Sequence, residues 1–190
     1  MEKFRVELEQ YVQELYEGDK KVLVHGEGVL GARVMLVGEA PGAQESLEGR
    51  PFVGKAGKNL DEFLAAAGIS RAELFISNTV KFRPTRVSAA GRVVNRPPTQ
   101  EEIDLFLPWL RREIELVDPV CVVTLGNVPL KALLGRDRTI GAAHGQFFHD
   151  GARKFYAMYH PASLIYNPSL RPAYREDLER LAAWLRDSKK

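Results

Sequence analysis

Three neutral side chains are of the right type to act together on a heterocycle. Asn78, in SNTVKFRP, offers one acceptor and two donors, which suits the edge of a pyrimidine and equally suits the cap of a strand end. His160, in YHPAS, stands where an apolar run gives way to a Pro turn; a histidine there either donates to developing negative charge or serves the fold. Phe52, in GRPFVGKAG, is an aromatic among small residues, either a stacking platform for a base or an anchor packed into the core. Commoner chemistries are missing. The sequence has no GxxxxGK[ST] phosphate loop, no GxSxG elbow and no GxGxxG, and GEAPG at 38–42 is by itself a weak sign of anion binding. The four histidines (His25, His144, His149, His160) show no i,i+4 pairing and have no cysteine partners, which argues against a zinc site.

These residues need elements to hold them. Phe4, Leu8, Tyr11, Val12, Leu15 and Tyr16 recur at helical spacing before Gly18, predicting a first amphipathic helix over 3–17. Val34 to Val37 is a short apolar run stopped by Gly and Pro, the pattern of a buried strand, and LFISNTV and VCVVTL read the same way. Helices are expected over Lys55–Ala67, from the capping box Thr99-Gln-Glu-Glu102 to Val117, over Val128–Leu134, and over Pro172–Asp187. Pro108 should kink the second of these. GQFFHDGARKFYAMYH reads as two strands joined at Asp150-Gly151. Strands alternating with helices predict an α/β fold: a three-layer α/β/α sandwich on a central, mainly parallel four-stranded sheet. Ligands in such sheets bind beyond the carboxyl ends of the strands, so GEAPG, Asn78, Gly126-Asn127 and His160 should converge.

At 190 residues with 45% apolar and 27% charged side chains, one globular domain over 1–190 is the expectation. The charged start and the lack of a long apolar run predict a cytoplasmic chain with no membrane partner. Cys121 lies alone in an apolar run, so it reads as a buried structural thiol, and no disulfide or cysteine-held cofactor is expected. Net charge is only +2, but from 78 to 98 there are Lys81, Arg83, Arg86, Arg92 and Arg96 and no acid, a loop suited to a polyanion unless its charges are merely solvated.

GEAPGAQESLEGRPFVGKAG (38–57), SNTVKFRP (77–84), VTLGNVPLKALLG (123–135) and YHPASLIYNPS (159–169) resemble, in order and spacing, the motifs of family 4 uracil-DNA glycosylases, over most of residues 24–187. The resemblance implies a monomeric enzyme that removes uracil from DNA by cleaving the N-glycosidic bond, leaving an abasic site for base-excision repair. It implies that Phe52 stacks on an extruded uracil, Asn78 reads its Watson-Crick edge and His160 donates to its O2. Glu39, Ala40, Pro41 and Gly42 would shape the pocket near sugar and water, with Glu39 or Glu45 as the water-activating group. Lys81, Arg83, Arg86 and Ser163 would meet DNA, and Leu164 would enter the duplex as a wedge.

Two departures stand out. Ala40 stands where the superfamily's best-known branch has the aspartate that positions water, an aspartate family 4 enzymes also lack. The iron-sulfur cysteines of family 4 are absent; the two later positions align with Phe82 and Phe106, which predicts an apolar contact in place of ligation, and a chain without metal or cofactor. The loop SAAGRVVNRPP has no histidine of the kind that traps DNA covalently in another branch. A glycosylase for another deaminated or mismatched base, and a non-catalytic binder of damaged DNA, remain the alternatives.

Overall fold

The computed structural model describes residues 1–151 and 153–188; Ala152, within the expected two-strand segment, and residues 189–190 lie outside it. Strand β1 is Glu27–Gly28, β2 Val34–Gly38, β3 Phe75–Asn78, β4 Thr85–Val87, β5 Val93–Asn95, β6 Cys121–Leu125, β7 Phe147–Asp150 and β8 Arg153–Met158. The helices are α1 Glu2–Leu15, α2 Ala43–Glu48, α3 Lys55–Ala66, α4 Gln100–Val117, α5 Asn127–Leu134, α6 Ile140–Ala143, α7 Ser163–Tyr166 and α8 Arg171–Asp187.

The main sheet has the order β1-β3-β2-β6-β8-β7. Its four inner strands are parallel, in register Leu36 with Ile76, Leu36 with Val123 and Val123 with Tyr156. The sheet is wider than the expected four strands because β1 and β7 add antiparallel edges. Alternation along the buried strands makes the layers. Val34, Leu36, Cys121 and Val123 pack with Leu60, Phe63 and Leu64 of α3 and Leu178 and Leu181 of α8. Met35, Val37 and Val122 face the other way, onto Leu110, Ile114 and Val117 of α4. Helix α1 adds Phe4, Leu8 and Val12 to a third cluster beside α4.

Most expected elements are present, with ends moved by a residue or two. LFISNTV stops being strand at Asn78, where Thr79 closes both its N–H and its hydroxyl on the Gly38 carbonyl, each at 2.9 Å. Helix α4 starts at the expected box, with Thr99 N donating to Glu102 Oε2 at 2.7 Å, and runs unbroken through Pro108. The carbonyl that loses its donor there belongs to exposed Asp104, where water can serve it. The basic segment is a hairpin, β4 pairing β5 from Thr85 with Asn95 to Val87 with Val93. Its strands are short and mostly exposed on both faces, so no apolar alternation announced them.

Candidate active site

The carboxyl ends of β2, β3 and β8 open on one cavity of about 480 Å³, roofed by the β4–β5 hairpin and by α2. Glu39 to Glu45, Phe52, Asn78 and His160 all line it.

His160 follows β8, and Gly126 at the end of β6 makes room for it: Gly126 has φ +91, and a Cβ there would stand 3.1 Å from His160 Cβ. Nδ1 of His160 accepts the Ala162 N–H at 3.1 Å. That bond fixes the tautomer, because a ring nitrogen that accepts cannot carry the proton, so Nε2–H is the free donor. Burial lowers the His160 pKa from 6.5 to about 4, keeping the ring neutral at physiological pH.

Asn78 is only 3% exposed, yet its side-chain amide has no hydrogen-bond partner among the described residues. Its placement depends on Gly38, its partner in the β2–β3 ladder: a Cβ on Gly38 would collide with Asn78 Oδ1 and with the Phe52 ring.

Phe52 sits with its ring centroid 5.6 Å from that of His160, tilted by 32°. Its backbone φ is +54, a left-handed conformation rare outside glycine and costing about 1–3 kcal/mol where it occurs. The surroundings enforce it. Arg71 donates to the Phe52 carbonyl at 3.1 Å and to Pro51 at 2.8 Å, and Gly57 leaves space for the Phe52 carbonyl that any Cβ would fill.

Glu45 does not do what a water-activating group must. Its Oε1 accepts Val53 N–H (3.1 Å) and Gly54 N–H (2.8 Å), and its Oε2 accepts Gly42 N–H at 3.1 Å. Both oxygens are committed to backbone, so Glu45 ties the GEAPG turn to the loop carrying Phe52. Glu39 differs: no hydrogen bond from a described side chain reaches its carboxylate, which lines the cavity and whose pKa burial raises. Ala40 is partly buried against the α1–α4 cluster, while Pro41 and Gly42 form cavity wall.

Two expected DNA contacts are corrected. Lys81 is fully buried, its ammonium bound to Glu113, so it cannot meet a phosphate. Leu164 is 1% exposed and belongs to the core beneath α8; the apolar side chains that α7 shows to solvent are Ile165 (43%) and Tyr166 (86%). A four-residue helix turns successive side chains by about 100° each, so one residue of sequence separates core from surface. Arg83 donates to Asn95 Oδ1 at 2.6 Å, and Arg86 and Arg92 are exposed on the hairpin. Ser163, half-buried at the start of α7, lies beside the His160 turn through its N–H to the His160 carbonyl. Arg96 faces inward: both its Nη atoms hold Glu102, at 2.7 and 2.6 Å, closing the cavity wall and lowering the Glu102 pKa.

Sequence reasoning missed Arg71, Asn95 and Lys55, which line the site or brace it. Lys55 stood within GRPFVGKAG, so its nearness to Phe52 was a usable signal; Arg71 and Asn95 carried none.

Phe82 and Phe106 are in contact, ring centroids 5.7 Å apart at 62°, with Tyr16 edge-on to Phe82 at 5.5 Å. The sole thiol, Cys121, is buried inside β6, its pKa pushed up to about 12 by burial. Among the described residues no group of three or more His, Cys, Asp or Glu is placed to hold a metal ion. These residues do not fit a thiolate-held iron-sulfur cluster, which needs several cysteines converging.

Comparison with known proteins bears on this arrangement. A family model described as Uracil DNA glycosylase superfamily matches residues 25–185. The chain is 38% identical over 167 residues to a Type-4 uracil-DNA glycosylase of Pyrobaculum aerophilum, covering 84% of this chain and 81% of that protein. It is 36% identical over 171 residues to the Type-4 enzyme of Saccharolobus solfataricus (85% and 76%) and over 168 residues to that of Thermotoga maritima (86% and 83%).

Proposed function

The chain belongs to the uracil DNA glycosylase superfamily and is an enzyme of uracil excision in DNA repair, and we propose that it works as a monofunctional hydrolase on an extruded base. The observation that carries this reading is the meeting, in one cavity, of an uncommitted amide (Asn78), an aromatic face (Phe52) and a neutral Nε2–H donor (His160).

A base within a duplex is out of reach, so it is first turned out of the stack, at a cost of a few kcal/mol. Phe52 stacks on the uracil and Asn78 pairs with its edge. The N-glycosidic bond then breaks, its electron pair going to uracil N1, and the sugar develops positive charge at C1′. The negative charge spreads to O2, where the His160 N–H stabilises it more than it stabilised the neutral base. Water adds to C1′ and gives a proton to Glu39, whose carboxylate also favours the cationic sugar. The products are uracil and an abasic site.

Arg83, Arg86 and Arg92 on the rim meet phosphate, with Ser163 beside the His160 turn. Tyr166, with Ile165, takes over the wedge role expected of Leu164, because both stand exposed on α7 three to four residues beyond the pocket wall at Ala162. The reading also has the chain work as a monomer in the cytoplasm. Among the described residues no helix is long and apolar enough to cross a membrane.

The test is uracil release from single-stranded, U:A and U:G oligonucleotides, scored by cleavage at the abasic product, beside a panel with hypoxanthine and with thymine opposite guanine. Preferential release of uracil is expected. Binding without abasic product under prolonged single-turnover conditions would refute the reading in favour of a non-catalytic binder.

A further inference from the structure

Beneath the recognition amide lies a charge pair that the proposed reaction does not use. The side chains of Lys81, just after β3, and Glu113, from α4, are 0% and 1% exposed and their charged atoms are 2.5 Å apart. The three protons of the ammonium have three acceptors: Glu113 Oε2, Ser77 Oγ at 2.6 Å and the backbone carbonyl of Asn78 at 2.9 Å. Ser77 donates its own hydroxyl hydrogen bond to Glu113 Oε2 at 2.7 Å. Space for the group is built in, since a Cβ on Gly26 would stand 2.5 Å from Glu113 Oε1 and 2.9 Å from Ser77 Oγ.

We infer that Lys81, Glu113 and Ser77 form a positioning device for Asn78, and through it for recognition of the base; this rests on the function proposed above. Two charges taken out of water lose their hydration, and an apolar pair of similar volume would pack as well or better, so packing alone does not explain the arrangement. What the ion pair does and an apolar pair does not is hold the Asn78 carbonyl. Asn78 is the last residue of β3, where the ladder that orients its peptide ends. Its side chain takes no hydrogen bond from the described residues, so the direction of the amide depends on the backbone from which it springs. The Lys81 ammonium bridges that backbone to α4, on the far side of the sheet from Phe52, leaving the cavity side of Asn78 free for substrate.

The experiment is a double-mutant cycle with four proteins: wild type, Lys81→Met/Glu113→Leu, Asn78→Ala, and all three changes together. Folding is followed by thermal unfolding, and kcat and KM by uracil release. The apolar pair should fold, because it removes both charges at once. Its kcat/KM for uracil should fall about 10- to 100-fold, the scale of a misplaced recognition group. In the Asn78→Ala background the same two changes should cost less than about twofold, since residues acting through one group do not add. Equal losses in both backgrounds, or a folded Lys81→Met/Glu113→Leu protein with wild-type kcat/KM, would overturn the inference. If the paired variant does not fold, Ser77→Ala takes its place in the same cycle with the same two criteria. A wild type that releases no uracil refutes the proposed function, and this role with it; an active wild type with independent losses refutes the positioning role alone.

Discussion

Gly38→Ala adds one methyl group to a residue that performs no chemistry. Gly38 has no left-handed backbone angle, so alanine is forbidden there by space alone. Its Cβ would stand 2.5 Å from Phe52 Cζ and closer still to Asn78 Oδ1, whereas ordinary contact begins at about 3.4 Å. Phe52 must therefore retreat by about 0.9 Å and Asn78 by about 1 Å, and a displacement near 1 Å costs roughly 10²-fold in rate. Overpacking of this kind destabilises by about 1–3 kcal/mol, and at this chain length each kcal/mol lowers Tm by roughly 2–4 °C. The variant should stay folded at 25 °C and lose about 10²-fold in kcat/KM, measured by single- and multiple-turnover uracil release beside its unfolding curve. Gly141→Ala is the control, since a Cβ there meets nothing within 4 Å, and it should match wild type. A folded Gly38→Ala protein within about threefold of wild type would show that Asn78 and Phe52 do not set the rate through their placement.

Other outcomes follow from the same geometry. His160→Ala removes the donor proposed to meet uracil O2 and should lower kcat by about 10²–10³; near-wild-type uracil release would remove His160 from its role. Because burial holds the His160 pKa down to about 4, the ring is neutral from neutral pH down to that value and no activity change is expected near 6.5. The raised Glu39 pKa places the acid loss of kcat above the usual carboxylate range: activity rises with pH as Glu39 ionises. In Glu39→Gln the residual kcat should lose that limb; an inflection near 6.5 that disappears in His160→Ala would contradict both assignments. Phe106→Ala, at a fully buried site against Phe82, should cost about 3–5 kcal/mol by chemical denaturation. Wild type should be colourless and indifferent to iron chelators; a visible absorbance band with stoichiometric iron would refute the apolar replacement. Tyr166→Ala should weaken excision from duplex DNA while sparing single strands, and equal effects on both would remove Tyr166 as the wedge.

Much of this was legible in the chain. Short, mostly apolar runs marked the first three parallel strands and the Asp150-Gly151 turn pair marked the fourth, because strands covered on both faces carry few polar side chains. The convergence of GEAPG, Asn78 and His160 followed, since parallel strands place all their carboxyl ends on one side; Asn127, expected with them, instead accepts the Ile140 N–H and lines a different cavity. Phe52 was singled out by its apolar ring among small residues, and Phe82 and Phe106 by the positions they occupy. The tertiary structure decided what each polar group is doing. Lys81 looked like Arg83 and Arg86, two and five residues on; only the packing of α4, which brings Glu113 across 32 positions of sequence, shows that its charge is consumed inside. Glu45 looked as capable a base as Glu39 until three backbone N–H groups were found on its oxygens. Leu164 was set on the core side of α7 by a helical turn too short to have a readable period. Residue type determines what a side chain is able to do, and a buried partner far along the chain determines what is left for it to do.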